Sequence, residues 1–92
     1  MSGTDDLVVL QTGPETFQVL LGGGRRLDAV LAHHTRRGLG LHGVPPVQVA
    51  TEIVRFLLER DGLPDDAVEA VSLAAAAGRY PEFVEELRSR LG

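Results

Sequence analysis

Two apolar runs near the amino end, separated by turn residues, constrain the fold more than any other feature of this sequence. Residues 7–11 and 16–21 are rich in β-branched and large apolar side chains. Between them, Pro14 has no amide hydrogen to donate to a β-ladder, and Gly13 accepts a positive φ, so both belong in the connection. The pattern predicts a β-hairpin. The three glycines at 22–24 end its second strand, because glycine weakens any regular element.

Residues 25–37 fit two interpretations. The helical spacing i, i+3, i+4, i+7 is matched by Leu27, Val30, Leu31 and His34. Asp28 near the start, arginines near the end and Gly38 after them suit the helix dipole and a left-handed cap. The pattern therefore predicts a helix. The alternative is a third strand with residues 27, 29, 31 and 33 on one face, although Ala29 and Asp28 have low strand propensity.

Three further helices are predicted after a loop rich in glycine and proline at 38–46. The strongest amphipathic pattern covers residues 47–60, with Phe56 on its apolar face. The spacing of Asp66 and Glu69 is that of a capping box, which begins a helix that continues through four alanines to Gly78. Pro81 begins the last helix, whose apolar stripe is Tyr80, Phe83, Val84, Leu87 and Leu91.

The predicted fold class is α+β, with an N-terminal β-hairpin followed by about four short helices. A chain of 92 residues has room for one small domain, placed at residues 7–92 behind a disordered tail over residues 1–6. Phe17, Phe56, Phe83 and Tyr80 are the four aromatic residues, so leucine and valine must form most of the core. A two-stranded hairpin is marginal by itself and has to pack on the helices or extend a sheet.

The sequence offers little for catalysis, metals or cofactors. Cysteine is absent, which excludes disulfides and thiolate chemistry. His33 and His34 are adjacent, so on a helix they point about 100° apart and do not chelate one ion together, while His42 lies in the glycine-rich loop. No serine lies in a nucleophile elbow. We expect a protein that is not an enzyme and carries neither cofactor nor metal.

An arginine cluster supports a nucleic-acid interpretation as the alternative function. Arg25, Arg26, Arg36 and Arg37 stand against a single acid in residues 25–42 and form a possible anion or nucleic-acid patch. The net charge of the whole chain is nevertheless −4, and no aromatic residue is interleaved with the basic positions. All nine basic residues are arginine and asparagine is absent, which indicates a GC-rich bacterial genome and weakens any chemical argument from arginine alone.

The leading functional hypothesis is a small adaptor or accessory protein that binds a protein or peptide, or itself. Unguarded hairpin edges invite another strand, and the expected interaction edge comprises Leu7, Val9, Phe17, Val19 and Leu21. Pairing of two copies across a two-fold axis predicts a homodimer with a continuous four-stranded sheet. No apolar run approaches a membrane span, and the acidic, polar first residues are unlike a signal peptide, so we expect a cytoplasmic protein.

Overall fold

The computed structural model describes residues 7–41, 43–60, 63 and 70–91. This part of the chain contains four strands and four α-helices, and a 3₁₀ turn at Gly22–Gly24 joins the second strand to the third. The elements in chain order are β1 (Val8–Gln11), β2 (Thr16–Leu20), β3 (Arg26–Val30), α1 (His33–Gly38), α2 (Pro46–Glu59), β4 (Val71–Ser72), α3 (Leu73–Ala77) and α4 (Phe83–Leu91). The predicted α+β class is confirmed.

One mixed sheet with the strand order β1-β2-β3-β4 forms the first layer. The first three strands make an antiparallel meander, in which Val9 pairs with Val19 and Val19 pairs with Leu27. β4 then joins β3 in parallel, after the chain has passed through α1 and α2. Both neighbours of β2 therefore come from its own chain, which makes β2 a central strand.

The helices cover one face of this sheet. Alternate strand residues are buried on that face, namely Val9, Phe17, Val19, Leu27, Ala29 and Val71. The opposing layer centres on α2, which contacts β1, α3 and α4 and is amphipathic as its sequence predicts. Phe56 of α2 is fully buried, with its ring centroid 5.6 Å from that of Tyr80 and 5.5 Å from that of Phe83. Three of the four aromatic rings thus form one cluster between α2 and α4.

The helix predicted over residues 25–37 is wrong, and the alternative strand is correct for its first part. β3 occupies Arg26–Val30, and α1 begins only at His33. The free edge of β2 offers a complete row of ladder hydrogen bonds, and the glycine turn returns the chain to that edge through the Leu21 N–H to Arg25 C=O bond of 2.7 Å. This pairing outweighs the weak strand propensity of Ala29 and Asp28.

The third predicted helix begins later than expected. Val71 and Ser72, predicted to be helical, form β4, and α3 begins at Leu73 with the Ser72 hydroxyl accepting a hydrogen bond from the Ala75 N–H. The predicted capping box at Asp66 and Glu69 lies outside the described residues, as do His42 and the predicted tail over residues 1–6. The four-stranded sheet was expected to form from the hairpins of two copies, and that composition is wrong, because β3 and β4 of the same chain supply the other two strands.

Ionic contacts on α2 and α4 hold the helical layer together. Arg60 stacks on the Phe56 ring with its guanidinium carbon 3.8 Å from the centroid, and its Nε donates to Glu82 at 2.9 Å. That hydrogen bond lowers the pKa of the Glu82 carboxyl. Arg90 donates to Glu59 at 2.6 Å, and this bond raises the pKa of the Arg90 guanidinium. These contacts fix the carboxyl end of α2, where Glu59 also lines the groove described below.

Candidate interaction surface

Within residues 7–41, 43–60, 63 and 70–91, no strand pairs with the outer edge of β1, because β2 is its one neighbour in the described sheet. Just after β1, the Thr12 N–H donates to the Thr16 C=O at 2.9 Å, so the pair 12/16 is hydrogen-bonded. Just after β2, the Leu21 N–H donates to the Arg25 C=O, which shows that odd-numbered residues of β2 bond to β3 and leaves its even-numbered residues for β1. With the observed register, even-numbered residues of β1 bond to β2. Val9 and Gln11 therefore direct their N–H and C=O groups outward, away from the sheet, and Leu7, the residue before β1, continues the same alternation.

The face of the sheet that the helices leave uncovered carries apolar side chains beside this edge. Val8 and Leu10 are 48% and 46% exposed, the two highest values among the large apolar residues described. Val8 lies opposite the half-buried Leu20 of β2, and Leu10 lies opposite Gln18. The uncovered face is thus apolar at the β1 edge and becomes polar toward β3, where Asp28 follows in the same row.

On the helical side, a groove lies next to the same edge. Leu7, Arg55, Leu58 and Glu59 line it, and its volume is about 340 Å³. Leu58 is 41% exposed although it belongs to the otherwise well-packed α2. The β1 edge is therefore flanked by the apolar Val8 and Leu10 on one side and, on the other, by a groove in which Leu7 and Leu58 stand beside the charged Arg55 and Glu59.

The five residues expected to form the interaction edge have different positions. Val9, Phe17 and Val19 are buried against the helices, while Leu7 and Leu21 are half-buried and pack against the same core. Because β2 is central, the ladder groups of Phe17 and Val19 are used within the sheet. Of these five residues, only Leu7 and Val9 have backbone groups that face outward at the open edge.

Sequence analysis did not identify Val8, Leu10 and Leu58 as surface residues. The signal for the first two was present, since alternation along β1 places them opposite the buried Val9. Leu58 gave no comparable signal, because it falls within the wide apolar face predicted for residues 47–60. In the structure Leu58 lines the groove beside Leu7, the residue before β1.

The four arginines of the possible anion patch are divided between two places. Arg26 begins β3, with Arg25 immediately before it, whereas Arg36 and Arg37 lie on α1 beyond the end of that strand. β3 alone separates the two pairs by about 13 Å at the usual rise per residue. Arg36 donates to the Val44 C=O at 3.1 Å and contacts His33 Nδ1, so it ties α1 to the loop before α2.

This arrangement predicts weak binding to nucleic acid. We expect no retarded band for a short DNA duplex or a single-stranded RNA at physiological salt, because four arginines can neutralise only a few phosphates and the chain carries a net charge of −4. Gel-shift titrations over a salt series provide the measurement. The control is a variant with Arg26→Ala and Arg37→Ala, both of which are exposed. A complex that forms at physiological salt and is lost in this variant would support nucleic-acid binding instead.

The polar candidates for chemistry are not gathered into a site within the described residues. His33 and His34 are exposed on α1, where the His33 N–H donates to the Glu15 carboxylate at 2.8 Å, so that Glu15 caps the helix. His34 lies on the surface and not on the predicted core stripe. In that part of the chain no three His, Cys, Asp or Glu residues are grouped as metal ligands would be, and the buried side chains are all apolar.

Comparison of the chain with protein-family models, with curated protein sequences and with solved structures finds no match. Of the helices described, none has both the length and the apolar character needed to cross a membrane.

Proposed function

We propose that this chain is a protein-interaction module, without enzymatic activity, that binds an extended protein segment along the β1 edge. A single observation carries the proposal: the outward N–H and C=O groups of this edge lie between the exposed Val8 and Leu10 on one side and a groove on the other. That groove is lined by Leu7, Arg55, Leu58 and Glu59. Strand addition needs both features, because main-chain hydrogen bonds give affinity and flanking side-chain contacts give specificity.

An added strand would present its side chains alternately to the two surfaces. One set would lie on the uncovered sheet face beside Val8 and Leu10, and the other set would enter the groove between Leu7 and Leu58. Two apolar residues of the added strand, two positions apart, could each bury a side chain on the same surface. Complete burial of one such side chain stabilises a complex by about 1.5–3 kcal/mol. The edge thus favours an apolar extended segment over a charged one.

The chemistry of β1 also supports a binding role. Sheet edges are usually protected by charged side chains, proline or bulges, because open ladders aggregate. β1 carries no charge and no proline, and its residues pair with β2 in unbroken register. An interior of apolar side chains, with no titratable group buried among the described residues, supports a role in binding rather than acid–base catalysis. The proposal includes the cytoplasmic location expected from the composition.

A probe peptide tests this proposal. We expect a capped seven-residue peptide of alternating valine and threonine to shift the NMR amide resonances of Leu7, Val9 and Gln11, whose N–H groups would gain partners. The amides of Val8 and Leu10, which already bond to β2, should move less. A dilution series of the protein alone reports whether the same amides are already covered by self-association.

Two substitutions at one position supply the matched control. Gln11→Pro removes an outward N–H while leaving the β1–β2 ladder intact, and proline is tolerated on an edge strand. Gln11→Ala keeps that N–H and loses the same side-chain contact to the Gly13 C=O. Peptide binding should be weakened by proline and retained with alanine. Resonances that respond neither to peptide nor to dilution would refute the binding role of this edge.

A further inference from the structure

We propose that the natural occupant of the β1 edge is a second copy of this chain, with the two β1 strands antiparallel about a two-fold axis at Val9. This inference rests on the proposed function, since it names the partner of the same edge. Its basis is that the edge is complementary to itself in hydrogen bonding, in side-chain chemistry and in polarity.

The outward backbone groups are symmetric about Val9. Leu7, Val9 and Gln11 are evenly spaced along the open edge, so a two-fold rotation at Val9 places Leu7 opposite Gln11 of the second copy and Val9 opposite itself. All five residues from Leu7 to Gln11 are then paired. A shift of register by one ladder step in either direction pairs only three of them, and forfeits hydrogen bonds that the central register makes.

The side chains agree with the same register. Val8 lies opposite Leu10 of the second copy, and Leu10 lies opposite Val8, in pairs that are not hydrogen-bonded and whose side chains approach closely. These are the two most exposed large apolar residues of the described chain. Each copy therefore covers the exposed apolar row of the other, which already continues into Leu20 on the neighbouring strand.

Polarity is complementary on the helical side of the edge. Gln11 of the second copy arrives opposite Leu7, beside the groove where Arg55 and Glu59 stand. A carboxamide supplies both a donor and an acceptor, which suits a site lined by one anion and one cation. β1 itself is uncharged, so no like charges meet at the axis. A charged or strongly polar peptide would not form apolar contacts with Val8 and Leu10.

Single-cysteine variants test this register directly, because the chain has no cysteine of its own. Val8→Cys and Leu10→Cys are purified separately, mixed in equal amounts and oxidised with a glutathione redox buffer. At a pair that is not hydrogen-bonded, the Cα separation of about 4.5 Å lies within the disulfide range. We expect the mixed Val8→Cys/Leu10→Cys disulfide to exceed either self-linked product several-fold on non-reducing gels and by mass spectrometry.

Other distributions of the disulfide products would contradict the proposed register or the pairing itself. Dominant self-linking of Val8→Cys alone, or of Leu10→Cys alone, indicates a shifted register and overturns the axis at Val9. Cross-linking at the level of Ser89→Cys, an exposed position on α4, indicates random collision and overturns the pairing. Adding Gln11→Pro to both cysteine variants should reduce the mixed disulfide to that background, whereas Gln11→Ala should not.

Light scattering coupled to size exclusion separates this inference from the proposed function. At micromolar concentration the chain should show twice its mass of 9.9 kDa, and Gln11→Pro should return it to a monomer. A chain that stays monomeric while its β1 amides still respond to the valine–threonine peptide overturns the second copy as occupant and leaves the proposed function in place. A monomer without that response overturns both.

Discussion

Replacing Phe56 with alanine is expected to lower the free energy of unfolding by about 3–5 kcal/mol. Phe56 is fully buried on α2, and its ring contacts Tyr80, Phe83 and the Arg60 guanidinium. Truncation would leave a cavity at the junction of α2 and α4 and remove the stacking surface of Arg60. The loss is a large part of the about 5–15 kcal/mol that stabilises a typical domain. Urea unfolding followed by circular dichroism measures it.

Leu58→Ala is the matched control on the same helix. Leu58 is 41% exposed, so its truncation should change the unfolding free energy by less than about 1 kcal/mol, since little apolar contact is lost. A Phe56→Ala loss no larger than that of Leu58→Ala would mean that the aromatic cluster does not form the centre of the helical layer.

Val19→Pro is expected to prevent stable folding. Val19 lies in the central strand, and by the register its N–H bonds to Leu27 of β3. Proline has no N–H, and the buried carbonyl left without a partner costs about 1–3 kcal/mol by itself. The fixed φ of proline also distorts a strand that pairs on both sides. We expect the amide dispersion of a folded chain to be lost in the NMR spectrum.

The comparison for this change is Gln11→Pro, which introduces the same residue at the open edge. That variant should stay folded, because the N–H it removes has no partner within the sheet. Equal destabilisation by the two prolines would contradict the assignment of β2 as the central strand and β1 as the edge.

The elements that sequence analysis identified correctly are those whose pattern is local and complete. The hairpin shows turn chemistry at Gly13 and Pro14 between two strand-like runs, and α2 shows three full turns of one apolar face. In both cases the residues that specify the element are its own. The bounds of β1, β2 and α2 differ from the predicted ones by about one residue.

β3 was predicted only as the alternative to a helix, because its spacing satisfies two periods at once. Leu27 and Leu31 are four positions apart, a distance that places them on one face of a helix and also on one face of a strand. The deciding factor, the free ladder of β2, is a property of another segment. The two-residue strand β4 is still less visible, because so short a strand has no period and is defined only by its pairing with β3.

The candidate site was predicted in outline but not in detail. Sequence analysis identified the hairpin edge as the interaction surface, which remains a proposal. It could not show which strand would keep an open edge, and so it included Phe17 and Val19, which are buried in the core. The direction of each backbone group depends on the register between strands, and a single sequence does not specify the register in advance.

The parallel strand β4 also has a kinetic consequence. In the meander, Val9 pairs with Val19, which lies ten positions further along the chain. Val71 of β4 pairs with Ala29, which lies 42 positions earlier, and β4 forms only two residue pairs with β3. Because so long a loop closes for so few contacts, we expect β4 to pair late in folding and to open by local fluctuation before the rest of the domain unfolds. The two edges of the sheet, at β1 and at β3, therefore differ in how often they are accessible to a partner. Among the described residues the β1 edge has no covering strand that must first detach before a partner binds, whereas the β3 edge becomes accessible only when β4 detaches.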